Sequence, residues 1–456
     1  MKSIIMAPET LIYSLLIVVL PLFLIIIFRL SIFKVSIILF IISLIICIRL
    51  SKTNYILQYI FNGGFSGIKI SLIIFSAVFF YNVYNVLGFE EKLKKIFYKN
   101  GENKLIIASL SIFFSGFIEN LTGYGVPVTV VSPLLVSLGI NPVDALAYGL
   151  IGHSWAVPYA SLGIPTLVIA EIVEINEYEL FKYTSIFMFI SLVSTIIVFT
   201  EILKLKWKDM LICLSASTIL LPLSFYTYNF SGLITGISAF LITIFIGYRD
   251  IGKNIVEYLY PYIVLAIILL TENLFGFRGF IWSSFTVFII ALFFLIKYNV
   301  DFNIFPNILK KVVKRIGKSI ITIILLTCIA EISKQLGLMK TLAIWIAYNT
   351  GIFYTIIIPL IGFIGTYVTG SCTASNIIFS LLQYSYSNTM KLNPTIILSL
   401  QNVGGGLGSM ISPAKATVGS IALSISGREK DSIKIAFKKS IIFLLPLFIS
   451  ALILIH

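Results

Sequence analysis

Two polar, glycine-rich interruptions sit inside long apolar runs, one in each half of the chain. They are ENLTGYGVPV (residues 119–128) and TGSCTASN (residues 369–376). A second broken segment follows each, GHSWAVPYASLGIP (152–165) and QNVGGGLGSMISPAKAT (401–417). Corresponding breaks lie about 250 residues apart. Within a bilayer, irregular backbone is tolerated only where protein or a water-filled cavity surrounds it. Apolar spans broken at matching places in two halves point to a transporter's midplane binding site.

Composition places these runs in a membrane. Of 456 residues, 59% are hydrophobic and 11% charged, against roughly 25% charged in a soluble domain. The apolar stretches are continuous and helix-length rather than alternating, so the β-barrel alternative is weak and an all-α polytopic membrane protein is expected. The net charge of +14 falls mostly in short loops between spans. It reads as cytoplasmic anchoring in a lipid bilayer, with no nucleic acid as partner. Cys47, Cys213, Cys328 and Cys372 all lie in apolar segments without a CxxC pair. Neither a disulfide framework nor a metal site follows, and no cofactor is expected. Residues 11–28 end at Arg29 without a small-residue cleavage site and read as a retained span.

Spans are expected at 11–28, 32–50, 68–88, 144–172, 184–200, 209–225, 229–248, 257–271, 279–297, 317–333, 394–426 and 438–456. That makes about 12 transmembrane helices. Two further regions, 105–140 and 352–386, are too long for one span and lack a charged turn at the centre. A re-entrant helical hairpin with its tip at the break fits each. The basic loops 90–104, 201–209, 297–318 and 427–439 are expected on the cytoplasmic side. The segment 171–182, with Glu171, Glu174, Glu177 and Glu179, is expected outside; Arg49 and Lys52 run mildly against this layout. Counting crossings then gives two inverted-topology repeats, 1–205 and 251–456, each of five spans plus a hairpin, joined by linking helices over 206–250. That architecture implies alternating access around a fixed site.

The broken spans 144–172 and 394–426 carry Pro158, Gly163 and Pro165, and Gly404, Gly405, Gly406, Gly408 and Pro413. Unwinding there exposes helix N-termini that attract anions and carbonyls that attract cations. Few ionisable residues fall at this depth, and each is a functional candidate by default. Glu119, beside Asn120 and Thr122, is a candidate proton carrier, or else a carboxyl capping a hairpin helix. His153 joins the proton path or is a satisfied packing residue. Lys415 pairs with a substrate carboxylate or snorkels to the surface. Thr369, Ser371, Thr373, Ser375 and Asn376 offer small polar groups to a substrate or pack helices closely, and Ser409 and Ser412 carry the same ambiguity. Thr122, Gly123, Tyr124, Gly125, Cys372, Gln401 and Gly405 complete the candidate substrate-contact set. Trp155 is singled out only by its place beside a break.

At these motifs the chain resembles the L-lactate permease family, which also includes glycolate permeases. The family pattern E-G-A-A-G-F-G-x-P-V is similar to residues 119–128, keeping Glu119, Gly123, Gly125, Pro127 and Val128. L-L-V-x-L-G-x-x-P resembles residues 134–142, and G-I-P resembles 163–165. T-G-S-D-T-S-S-N resembles 369–376, and G-K-M-I-S-P resembles 408–413. The departures fall at the site. Cys372 stands at the family's acidic or amide position and Ser409 at its lysine, with Lys415 six residues on. His153 replaces an asparagine, with Trp155 and Tyr159 nearby, and Leu121-Thr122 stands for the small A-A pair.

The resemblance implies secondary active transport of a small 2-hydroxymonocarboxylate with protons across the plasma membrane. Glu119 and His153 are expected to couple the proton. The expected partners are a small carboxylate substrate and a proton, with the oligomeric state left open. A sodium-coupled or exchange carrier for another small organic anion is the alternative. An intramembrane enzyme pairing His153 with Glu119 or Cys372 belongs to a different class and lacks a nucleophile elbow or metal motif.

Overall fold

The computed structural model describes residues 8–50, 52–98, 103–123, 125–247, 249–277 and 280–453, and every regular element among them is helical. Eleven of the described helices are long and apolar enough to cross a membrane. Several helix starts are fixed by side-chain caps. Asn103, Asn141, Asn176 and Asn393 each accept backbone N–H bonds from the first turn of the helix that follows, replacing partners that turn lacks. Inside the helices, hydroxyls such as those of Ser71, Ser191, Thr195 and Thr200 bond their own chain four residues back. Polar side chains are thereby satisfied without a neighbour.

The helices Ile56–Val86 and Phe305–Gln335 are each 31 residues long, about 46 Å at 1.5 Å per residue. They exceed a hydrocarbon core of about 30 Å and pack against each other along their length. Gly63 and Gly67 make the approach close. A methyl at Gly63 would fall on the Cys328 backbone, and one at Gly67 on Ile324 and Thr327. A second tight pair is Tyr354–Thr369 with Pro394–Gly408. There Gly404 and Gly408 lie directly on the carbonyls of Pro359 and Phe363.

Several expected elements take a different form. The stretch 90–104, expected as a loop, is helical over Phe89–Tyr98. The segment 209–225, expected as one span, is two short helices, Trp207–Ser217 and Leu220–Thr227. Ser217 and Thr218 turn their hydroxyls onto the carbonyls of Leu214 and Ser215, competing with the helix at its end. Two residues after Phe305–Gln335, a helix the sequence did not announce runs over Leu338–Thr350.

Four interruptions converge on the centre. The first separates Ser115–Thr122 from Val126–Ser137, and the second separates Pro142–Gly152 from Ala160–Val173 through a 3-10 turn. The third separates Tyr354–Thr369 from Cys372–Met390 at Gly370 and Ser371. The fourth separates Pro394–Gly408 from Pro413–Ala422.

Candidate functional site

Glu119 lies in the last turn of Ser115–Thr122, and Lys415 is the third residue of Pro413–Ala422. Each charge sits at the unfavourable pole of its own helix, a carboxylate at the negative end and an ammonium at the positive end. Each is also buried. The pair offsets both problems: Lys415 Nζ stands 3.0 Å from Glu119 Oε1, with side chains 9% and 1% exposed. Snorkelling of Lys415 is thereby ruled out.

The same ammonium donates to His153 Nε2 at 2.9 Å. His153 Nδ1 lies 2.8 Å from the Gly149 carbonyl. A carbonyl only accepts, so this geometry assigns the proton to Nδ1 and leaves a lone pair on Nε2 for Lys415. Ser409 Oγ approaches Nε2 at 3.3 Å. The imidazole closes Pro142–Gly152 as its C-cap residue, and Gly152 lets that helix end lie against the backbone of Ser111. The neighbouring stretch Leu110–Phe114 is a π-helical turn whose Ile112 carbonyl accepts the indole N–H of Trp155 at 3.0 Å.

Beside the ion pair is a cavity of about 50 Å³ lined by Glu119, Gly123, Ser161, Ser371, Cys372, Thr373 and Lys415 among others. It is large enough for a few waters, each needing about 10–15 Å³ on this measure. Glu119 Oε2 is buried and has no hydrogen-bond partner. The wall at Ser161 is unusual backbone. Ser161, Leu162 and Gly163 all have positive φ, at 48°, 64° and 91°. Two consecutive non-glycine residues in this region require outside support. Ser161 Oγ donates to the Thr122 carbonyl at 2.9 Å, and Asn229 Nδ2 to the Leu162 carbonyl at 3.1 Å.

An amide cluster ties the breaks together. Asn376 Nδ2 donates to the Pro165 carbonyl at 2.9 Å and to Asn402 Oδ1 at 2.8 Å. Asn402 Nδ2 donates to Thr166 Oγ1, whose hydroxyl donates to the Pro158 carbonyl.

The expected site residues thus divide. Glu119, Gly123, Ser371, Cys372, Thr373 and Lys415 line the cavity, and His153 and Ser409 reach the ion pair. Gly125, with φ 75°, caps Val126–Ser137 and lies beside the Lys415 stem. Ser412 caps the helix of Lys415. Gly405 admits the Cys372 sulfur. Asn376 belongs to the amide cluster and the Thr369 hydroxyl bonds the Gly365 and Ser371 carbonyls, and three more residues point elsewhere. The Thr122 hydroxyl bonds the Ile118 carbonyl, Ser375 packs on Gly362, and Gln401 accepts from Gln383. Tyr124 lies outside the described residues. Cys372 Sγ is directed at Asn402, while the His153 nitrogens bond Gly149, Ser409 and Lys415; no thiol–imidazole pair forms. Among the described residues no three His, Cys, Asp or Glu side chains gather as a metal site needs. Sequence reasoning missed Ser161, Thr166, Asn229 and Asn402.

The family model described as L-lactate permease matches residues 10–248 and 264–456. A Streptococcus iniae protein named L-lactate permease is 25% identical over 373 residues, covering 71% of this chain and 78% of that one. The glycolate permease GlcA of Escherichia coli K12 is 21% identical over 465 residues, covering 82% of each. Among solved structures, Neisseria gonorrhoeae MtrF, described with a class of antimetabolite efflux pumps, is similar with a TM-score of 0.57. The identity is 12%, and the match covers 93% of this chain and 95% of that one. That likeness shows the fold alone.

Proposed function

The chain belongs to the L-lactate permease family, and from that membership we propose that it is a secondary active transporter taking up a small 2-hydroxymonocarboxylate together with a proton. The protein is a multi-pass plasma-membrane protein, and its relatives are named for lactate and glycolate. The observation that carries the reading is Lys415, buried, held by Glu119 and His153, and facing a small cavity. Lys415 supplies the cation for a carboxylate. Glu119 is the proton acceptor beside it. Ser161, Ser371 and Thr373 supply hydroxyls suited to a 2-hydroxyl group.

Alternating access between two inverted repeats, each with a re-entrant hairpin, is part of the proposal. Element spacing supports it: Phe305 follows Ile56 by 249 positions, Pro394 follows Pro142 by 252, and Glu429 follows Glu177 by 252. The first and third breaks both supply walls of the interior cavity through Gly123 and Gly370, which supports chain reversal inside the protein.

Uptake of labelled L-lactate and glycolate into proteoliposomes, with proton and sodium gradients imposed separately, tests the reading. Accumulation driven by the proton gradient is expected. Absence of both uptake and counterflow for every small 2-hydroxy acid would remove the substrate class. Accumulation under sodium alone would remove the proton.

A further inference from the structure

We propose that the substrate carboxylate binds Lys415 by displacing Glu119, and that Glu119 leaves the pair only as the protonated acid. This rests on the transporter reading above and specifies how its two ligands are linked. The site then accepts one proton for each monoanion.

The argument begins with charge. The pair of Lys415 and Glu119 is neutral and buried. A monocarboxylate arriving alone would leave one uncompensated negative charge in a desolvated interior, which is strongly disfavoured. A proton arriving alone would leave Lys415 without a counter-ion. With both, the count closes: ammonium plus substrate carboxylate, beside a neutral carboxylic acid. No bond is made or broken except the new O–H on Glu119, whose proton comes from the medium. A dicarboxylate would leave a net negative charge, so the site selects monoanions.

Geometry supports the exchange. Glu119 has one oxygen on Lys415 and the other, Oε2, buried without a partner although the residue borders the cavity. A half-satisfied carboxylate is poorly held. As an acid, it gains an O–H able to donate to a substrate oxygen. Lys415 has three N–H donors, two of them engaged by Glu119 and His153. Releasing Glu119 frees a donor on the cavity side.

The other titratable neighbours are suited to different tasks. His153 accepts from Lys415 through Nε2, so a proton there would turn the contact into a repulsion. It is a positioning residue that keeps the ammonium in place while the counter-ion changes. The Cys372 thiol borders the same cavity and is directed at Asn402. Tyr159, on the second break packed against the helix of Glu119, is bonded to Ser185.

The test is the pH dependence of L-lactate binding to the purified full chain, measured by titration calorimetry in buffers of different ionisation enthalpy. Where Glu119 is ionised in the free protein, Kd should rise tenfold per pH unit, and one proton should be taken up per lactate bound. In Glu119→Gln the slope should be zero, with no proton uptake. Wild-type binding without proton uptake would overturn this inference and leave the substrate assignment intact. A slope of one that survives in Glu119→Gln would also overturn it, by moving the proton elsewhere. If Glu119→Gln does not fold, the wild-type proton count alone decides. Failure of the wild type to bind any 2-hydroxymonocarboxylate would instead overturn the transporter reading beneath it.

Discussion

Asn376 donates to Asn402 at 2.8 Å and to the Pro165 carbonyl at 2.9 Å, so one amide on the third break's helix holds helices from the second and fourth. Asn376→Leu should remove both contacts, leaving Asn402 Oδ1 only the Cys372 thiol at 3.7 Å, and destabilise the protein by about 1–3 kcal/mol. Thermal unfolding in detergent measures this. An unchanged midpoint would mean that the cluster contributes nothing to joining the breaks.

Lys415→Met strands Glu119 as a buried unpaired carboxylate, and about 3–5 kcal/mol of stability should be lost. Adding Glu119→Gln to that variant should recover much of the loss, although transport stays absent. The single and double variants compared by thermal shift form a double-mutant cycle. Strict additivity would contradict the pairing at 3.0 Å.

Gly404→Ala drives a methyl into the Pro359 carbonyl and Gly408→Ala into that of Phe363. Backbone cannot retreat as a side-chain tip can, so either change should lower folded yield on size-exclusion chromatography. Gly64→Ala, whose methyl would meet only the Cys328 sulfur at 3.9 Å, is the control expected to be tolerated. Equal yields for the three variants would refute the close packing.

Cys372→Asp places a second carboxylate in the cavity that Lys415 borders. It should compete with an anionic substrate and raise KM at least tenfold, equivalent to about 1.4 kcal/mol. Cys372→Ser adds no charge and should keep most of the uptake. Loss of activity in the serine variant, with expression and folding intact, would revive a nucleophilic role for the thiol.

The rare charges and the helix breakers were legible in the sequence, and the structure brings Glu119, His153 and Lys415 together. A glutamate, a histidine and a lysine in apolar runs stand out because each is unfavourable there without a partner. Their partnership was not legible, since Glu119 and Lys415 are separated by 296 positions. Ser161, Thr166 and Asn402 escaped notice for another reason. Neutral polar residues are common in these helices, and most, such as Ser71 and Thr200, simply bond their own backbone. Only spatial neighbours separate Asn402 from them. One signal was present and unused: Asn-Pro opens both broken spans, at Asn141-Pro142 and Asn393-Pro394, and both asparagines cap. The helix Phe89–Tyr98 was hidden by its charge, because amphipathic surface helices resemble polar loops when only spanning length is sought.

Four helix interruptions meeting around one ion pair invert the usual distribution of firmness in a folded chain. A soluble domain is most securely bonded at its heart and frays at its skin. Here the unbroken ladders of Ile56–Val86 and Phe305–Gln335 form the stiff member, and the ragged ends of eight half-helices are gathered inside. Amide hydrogens in those long helices should therefore exchange more slowly than those around Gly123, Ser161, Gly370 and Ser412. The centre of the molecule becomes the place where small local energies are enough to redraw the backbone.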